Sequence, residues 1–405
     1  METIPFHRPF IGEEEEEAVL RVLRSGWLTT GNEALCFENE FRCFLEEKEI
    51  KPPAAKSPSA NSTLFCLAVN SATSGLHLAL EALGVGPGDA VFLPSYTFTA
   101  TAEVVRYLGA EAVFVDIAKD SYNINGETLE QAIAGLNRAQ SSVAKPLKPK
   151  AVIPVHIGGL PCDMAAINSV SEKYGLAVVE DAAHAFPARA STGQWAGCCG
   201  ELGVFSFYAT KTITTGEGGM VVTGREDLAR RISIMRSHGI DRTVWNRYTD
   251  TAASWYYEVT APGFKYNLPD LLAAAGRVQL RRANEFLAMR RKIAERYNTA
   301  FKNEAGLIIP PSTQNSAWHL YTLRLKNPEN RDAFIESLRR EGIGTSVHYI
   351  PLHIMPYYRE RYSLKLDDFP ESSRRYKETV SLPIWPGMTD AQIDRVTAAV
   401  RKTLI

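Results

Sequence analysis

The sequence predicts an α/β fold, with a large domain on a mostly parallel sheet covered on both faces and a small C-terminal α+β domain. Three observations carry this expectation. Short apolar runs recur at 64–69, 90–93, 112–115, 151–155, 176–179, 204–207 and 220–222, and helix-length segments separate several of them. Such alternation marks parallel strands with helices packed across them. Beyond about residue 285 the pattern becomes a mixture of single strands and helices. The chain has 405 residues, enough for one large unit and a smaller one. The expected division is 1–285 and 286–405.

The elements follow in order. Residues 12–24 read as a helix with Val19, Leu20, Val22 and Leu23 on its apolar side, stopped by Ser25-Gly26. The acidic run Glu13 to Glu17 suits the positive end of that helix and reads as a solvated start. A second helix spans about 33–47, with Ala34, Phe37, Phe41, Phe44 and Leu45 on one face. Residues 50–62 lack periodicity and read as an exposed loop, as does the lysine-rich stretch Lys145 to Lys150. Leu268-Pro269-Asp270 begins a long helical region, since proline fits a first turn. Residues 319–325 alternate like a half-buried strand, with His319, Tyr321, Leu323 and Leu325 on one side. A helix near 330–341 and a strand near 345–349 come next. Thr389 to Gln392 is a capping box opening a last helix with Ile393, Val396 and Val400.

Composition excludes several classes. The formal net charge is -1, so no bulk basic field would draw nucleic acid. No apolar run approaches the ~20 residues of a membrane helix, and Met1 to Phe6 lacks the apolar core of a signal peptide. A cytoplasmic location is expected. The six cysteines have no metal-ligand spacing and read as reduced thiols, so no metal is expected.

Chemistry concentrates near the predicted strand ends. Lys211 lies in Gly203 to Gly219, among hydroxyls, aromatics and glycines. Its amine can condense with an aldehyde, and apolar surroundings lower its pKa from about 10.4. Asn70-Ser-Ala-Thr-Ser-Gly75 forms a small-residue turn between a strand and a helix, and such a turn offers free N–H groups to a phosphate. Asp181 ends the strand Leu176 to Asp181. There it either caps a helix or holds a cationic ring nitrogen protonated. His184 either meets a ring hydroxyl or packs as a satisfied core side chain. Phe98 either stacks on a flat heterocycle or fills core, and Ser206 can point toward the phosphate. An aldehyde-reactive lysine, a phosphate turn, an acid and a stacking aromatic together call for pyridoxal 5′-phosphate (PLP). Gly84 to Gly88 follows a helix and contains a proline, which suits a turn and not a dinucleotide loop.

With these motifs in their order, the chain resembles the DegT/DnrJ/StrS family of sugar aminotransferases, within the fold-type I PLP enzymes. Ser25 to Gly31, Asn70 to Thr73, Pro94 to Phe98, Glu180 to His184, Ser206 to Gly219, Gly263 to Asn267, Val347 to Tyr349 and Ser381 to Pro383 carry the resemblance over nearly the whole chain. It implies that Lys211 bonds to the cofactor aldehyde, that Asp181 pairs with the pyridine nitrogen, and that His184 lies near the ring hydroxyl. It implies that Phe98 covers one ring face, and that the Ala72 and Thr73 backbone with Ser206 holds the phosphate. Asn267 would reach the phosphate of a neighbouring subunit, which implies a homodimer with shared sites. Trp27, Thr29, His348 and Tyr349 would face the sugar, with domain packing as the equal alternative for His348 and Tyr349.

The implied reaction takes an amino group from an amino acid, L-glutamate, to a nucleotide-linked keto sugar. Lys265-Tyr266-Asn267 resembles the branch that aminates at C4. Arg236, Arg242 and Lys265 are candidate cations for the diphosphate, with ordinary surface charge as the alternative for each. Two other activities are weighed. A PLP-dependent sugar dehydratase of this family has histidine in place of Lys211. A non-catalytic binding or regulatory protein on the same fold would leave the cofactor unchanged by glutamate. Residues 50–62 read as an insertion, Trp195 has no assigned role, and the aromatic stretches 244–248 and 255–257 read either as a lid or as partner-packing surface.

Overall fold

A computed structural model describes residues 2–49, 63–140, 146–241 and 256–404, with the side chains of 137–140 excepted. The loop 50–62, Lys145, Arg242, the stretch 244–248 and Trp255 lie outside the described residues.

Seven strands form the main sheet: β1 Phe65–Val69, β2 Asp89–Pro94, β3 Glu111–Val115, β4 Lys148–Val152, β5 Ala177–Asp181, β6 Leu202–Ser206 and β7 Gly219–Thr223, in the order β1-β7-β6-β5-β4-β2-β3. Each overlaps its predicted apolar run. Six strands point the same way, and β7 runs antiparallel between β1 and β6. The period-2 alternation of side chains sorts each strand between two cores. Leu67, Val69, Val204 and Val221 join one cluster, while Cys66, Ala68, Phe205, Met220 and Val222 join the other. Both faces are covered, which explains why these strands read as continuous apolar runs.

The first two helices, α1 Glu13–Ser25 and α2 Asn32–Leu45, form as expected. Glu15 departs from the solvated acidic run. It is buried, accepts from the Gly12 amide at 2.8 Å and from Gln279 Nε2 at 2.7 Å, and so anchors the helix to Asp270–Arg281. The face of α2 places Phe37 and Phe41 against Phe186, Phe205 and Phe207 with ring centroids 4.9–5.6 Å apart. Trp195 closes the end of this helix. Its indole N–H donates to the Leu45 carbonyl at 2.9 Å, and the Arg189 guanidinium covers its ring at 3.6 Å.

The long helical region after Leu268 is two helices, Asp270–Arg281 and Ala283–Phe301, broken at Arg282. A second sheet of three antiparallel strands follows: β8 Leu307–Ile308, β9 Tyr321–Leu325 and β10 Thr379–Leu382. β9 is buried on both faces, not half-buried, because Thr322 is covered along with Tyr321, Leu323 and Leu325. The helix Arg331–Arg340 and the capped helix Asp390–Thr403 complete this region, and Ile393, Val396 and Val400 are buried as the pattern required. Residues 345–349 do not form a strand. Only Ser346 pairs with Ser381, and the His348 carbonyl is taken by the Tyr96 hydroxyl at 2.7 Å. That hydroxyl replaces the ladder partner a strand would need.

An N-terminal strap crosses this region. Ile4 exchanges hydrogen bonds with Gly342 and Gly344, Phe6 stacks on His348 at 5.2 Å, and His7 Nε2 donates to the Ala209 carbonyl at 3.0 Å. Among the described residues no helix is long and apolar enough to cross a membrane.

Phe41 is fully buried in the aromatic core behind the sheet. Phe41→Ala is expected to cost about 3–5 kcal/mol, as large-to-small changes in tight cores do. Denaturant melting followed by circular dichroism would read this loss, and a cost below about 1 kcal/mol would contradict the packing described.

Candidate active site

The carboxyl ends of β1, β2, β5 and β6 meet the start of β7 at one edge of the sheet. Ligands collect at such an edge in open α/β folds.

At the end of β1 the chain turns into a third helix, α3 Ala72–Ala82. The Ser71 hydroxyl accepts from the Ser74 amide at 3.1 Å and caps it. Among the described residues the Ala72 and Thr73 amides have no acceptor. A Cβ on Gly219 would come within 2.8 Å of the Ala72 nitrogen, so only glycine lets β7 begin this close to the helix. Gly219 lies opposite Ser206 on β6. Ser206 Oγ accepts from the Tyr208 amide at 3.3 Å and keeps its own proton to donate. Two free amides, a hydroxyl and a helix N-terminus thus face one spot, a fit for a phosphate.

Asp181 ends β5, the strand next to β6, and is buried. Its Oδ2 accepts from Thr101 Oγ1 at 2.9 Å and its Oδ1 from the Ala183 amide at 3.2 Å. Burial raises its pKa, while these two donors and Lys211 oppose the rise. Glu180, one residue earlier, points to the other face. It accepts from the Gly197, Cys199 and Gly200 amides and meets His156 Nε2 at 2.9 Å.

Lys211 sits on the loop between β6 and β7, where its amide donates to the Tyr208 carbonyl at 2.9 Å. Among the described residues no hydrogen bond or ion pair holds its ammonium. Burial lowers its pKa to about 8, against the pull of Asp181 and with help from the Arg290 charge. Arg290 is fully buried and gives Nη1 to the carbonyls of Trp318, His319 and Ile384. Four histidines surround this pair, and burial keeps each neutral. His7 and His348 fall to about 4, and His184 and His319 are lowered well below the usual value. The Lys211 charge reinforces every one of these shifts.

Tyr349 Oη lies 3.0 Å from His184 Nε2, and its ring is 5.9 Å from that of Phe98. Phe98 is 56% exposed, so it is not core and one ring face remains open. Both aromatics line a groove of about 810 Å³ with Tyr107, Tyr357 and Tyr358.

Asn267 bridges Val69, beside the phosphate turn, and its side-chain amide donates to Thr30 Oγ1. Asp270 accepts the Gly31, Glu33 and Ala34 amides. Trp27 donates its indole N–H to the Thr30 carbonyl at 3.3 Å, and the Thr29 carbonyl accepts the Asp270 amide at 3.2 Å. Arg236 is a correction: it is buried, bonded to Glu38 and the Ala68 carbonyl, and is neither a surface cation nor placed to meet a diphosphate. Lys265 is exposed. The sequence reading missed Thr101, His7, His319 and Arg290 as neighbours of the site. Their approach is made over long separations, and no local spacing announces it.

This donor set fits PLP: a phosphate cup, a buried carboxylate for a ring nitrogen, an open aromatic face and an unpaired lysine amine of lowered pKa. The comparisons agree. The model of the DegT/DnrJ/EryC1/StrS aminotransferase family matches residues 9–401. The spore coat polysaccharide biosynthesis protein SpsC of Bacillus subtilis is 42% identical, over 98% of this chain and 96% of its own. The uncharacterized protein MJ1066 of Methanocaldococcus jannaschii is 44% identical, over 98% and 97%. Among solved structures, the putative sugar aminotransferase Spr1654 of Streptococcus pneumoniae in its PMP form superposes with a TM-score of 0.86 at 29% identity, covering 99% of each chain. It is also solved in a PLP form.

In cofactor-stripped protein, labelling of Lys211 by an amine-reactive reagent should be half-maximal near pH 8, because the amine loses its proton there. Exposed lysines should need about pH 10.4. Peptide mass spectrometry across a pH series reads both. Asp181→Asn should move the Lys211 midpoint lower and Arg290→Met higher, and a midpoint equal to that of exposed lysines would refute the burial described.

Proposed function

Because the chain belongs to the DegT/DnrJ/EryC1/StrS aminotransferase family and is a PLP-dependent sugar aminotransferase, we propose that it carries the amino group of L-glutamate to a nucleotide-linked keto sugar, at C4. The observation that carries this reading is Lys211, an amine of lowered pKa between Asp181 and the phosphate turn. When bound, PLP supplies an electron sink that acidifies the carbon bearing the amino group.

The protein's own residues do the rest. The Ala72 and Thr73 amides and the Ser206 hydroxyl hold the phosphate and fix the ring's distance from β6. The Asp181 carboxylate, kept in place by Thr101 and Ala183, receives a protonated ring nitrogen. Phe98 covers one ring face, and His184 stands by the ring hydroxyl. Lys211 Nζ takes a proton from the donor carbon and returns it on the other side of the transfer, which an amine titrating near 8 does in both directions. Burial keeps the surrounding histidines from adding positive charge near that amine.

For the acceptor, the groove beside Phe98 and Tyr349 has the volume of a small-molecule site and aromatic walls suited to a sugar or base face. His348, Tyr349, Trp27 and Thr29 are proposed to bind it. Tyr266 turns its hydroxyl to His77 Nδ1 at 3.2 Å, so any influence of the Lys-Tyr-Asn motif on regiochemistry runs through Asn267. A homodimer is proposed, with Asn267 serving the phosphate of the second copy. Exposed Ile11 and Leu20 beside the Thr214–Gly216 loop, with exposed Leu23, Leu28 and Leu35 further along the same N-terminal segment, support it, because single chains rarely leave so much apolar surface together.

Two experiments test this. PLP-loaded protein given L-glutamate and a panel of UDP-, dTDP- and GDP-linked 4-keto sugars should yield an amino sugar by mass spectrometry, and borohydride should fix the cofactor on Lys211. Lys211→Ala should retain cofactor and lose about 10³-fold or more in turnover. Full activity in that variant would overturn the assignment. Separately, Ser206→Ala should weaken PLP binding roughly tenfold, the value of one hydrogen bond to a charged group, as read by equilibrium dialysis.

A further inference from the structure

We infer that Tyr349 is a fixed hydroxyl donor of this site, held in that role by His184 and directed at an electron-rich oxygen bound beside Lys211. The inference rests on the transaminase reading above and goes beyond it.

The turn Ile157–Gly159 lies against the His184 ring. The Gly158 amide donates to His184 Nδ1 at 3.3 Å. Glycine permits this approach. Gly158 and Gly159 both have positive φ, and a Cβ on Gly159 would come within 3.0 Å of the His184 carbonyl oxygen. A ring nitrogen that accepts an N–H carries no proton. His184 is therefore either the neutral Nε2–H tautomer or fully deprotonated, and the latter does not occur in water near neutral pH. The groups facing the ring agree. Burial and the Lys211 charge disfavour a positive charge on the ring, His319 packs at 4.3 Å and is itself neutral, and Asp181 is engaged by Thr101 and Ala183.

The single N–H of His184 thus points to Tyr349 Oη, 3.0 Å away. Tyr349 must accept it. Its own O–H is then left to donate, and among the described residues no other partner takes it. Burial and the Asp181 charge raise its pKa, so the phenol keeps its proton. The ring lies against Phe98 and lines the groove, and Asp181 is close enough for its charge to act on the phenol.

Two oxygens have the matching chemistry: the ring oxygen of the cofactor and the carbonyl of the acceptor sugar. In either case His184 is a positioning residue that works through Tyr349, because its only proton is already committed. The Tyr96 hydroxyl on the His348 carbonyl and the Ser381 hydroxyl on His348 Nδ1 fix the adjoining backbone.

The test begins without cofactor. Nitrogen-15 NMR of histidine-labelled protein should show His184 protonated on Nε2 alone. A ring protonated on Nδ1, or on both nitrogens, overturns the inference. Tyr349→Phe is then loaded with PLP and checked for full cofactor content. If the oxygen is the cofactor's, the pH midpoint of its visible absorbance rises by about one unit, since the ring oxygen loses a donor that draws off negative charge. If it is the acceptor's, that midpoint stays, the half-reaction with glutamate is unchanged, and the half-reaction with the keto sugar falls roughly 10- to 100-fold. His184→Phe should reproduce either pattern, and His184→Gln, whose amide can still donate, should restore it in part. Unchanged absorbance together with unchanged half-reactions in Tyr349→Phe overturns the inference while wild-type turnover leaves the transaminase reading intact. A wild-type protein that takes no PLP on Lys211 defeats that reading itself.

Discussion

A buried carboxylate with four donors holds the rest of this structure in register. Glu180 is completely buried, and it accepts amide protons from Gly197, Cys199 and Gly200 while facing His156 Nε2. Burial opposes protonation of His156, while Cys162 and Glu180 favour it. The Cys162 amide aimed at Nδ1 decides for the neutral ring, since an acceptor nitrogen carries no proton. Stranding one partner of such a buried network costs about 3–5 kcal/mol. The network matters beyond its energy because the next residue is Asp181. Alternation along β5 sends Glu180 to one face and Asp181 to the other, so a carboxylate that clamps the loop 197–200 also sets the height of the acid on the site side.

The electrostatic character of the site follows from what burial excludes. Lys211 and Arg290 are the two cations, Asp181 is the near anion, and four histidines between them are kept uncharged. Every neutral imidazole leaves the Lys211 amine less crowded by positive charge than a protonated one would. The lysine therefore rests near its own titration point instead of being driven far below it. Arg290 does its part from behind, with its guanidinium tied to three backbone carbonyls and, among the described residues, without an acid paired to it.

Much of this was legible in the chain because it is local. Strand lengths, the small-residue turn after β1, the acid at the end of β5 and the loop bearing Lys211 are each written within a dozen residues. The capping box at Thr389 is equally local. The position of β7 was not legible. Its apolar run looks the same whether it joins an edge or slips antiparallel between β1 and β6, and only the whole sheet decides. Residues 345–349 alternate well enough for a strand, yet a tyrosine hydroxyl from 252 residues earlier takes the carbonyl of His348. Arg236 looked like a surface cation because its partner, Glu38, lies 198 residues away. Glu15 hid in an acidic run whose other members do face solvent. In each case the deciding contact is one that spacing along the chain does not encode.

The strap at residues 4–7 has a consequence for how the protein comes to exist in a cell. Ile4 needs Gly342 and Gly344, and Phe6 needs His348, before either can seat. During synthesis residues 4–7 emerge well before residues 342–348 and must wait for them, because domains assemble as the chain leaves the ribosome. The sheet can form while translation continues, but the strap that carries His7 to the Lys211 loop is seated only after residues 342–348 have emerged. A chain released early would thus carry the sheet-borne residues of the site without the final brace upon them.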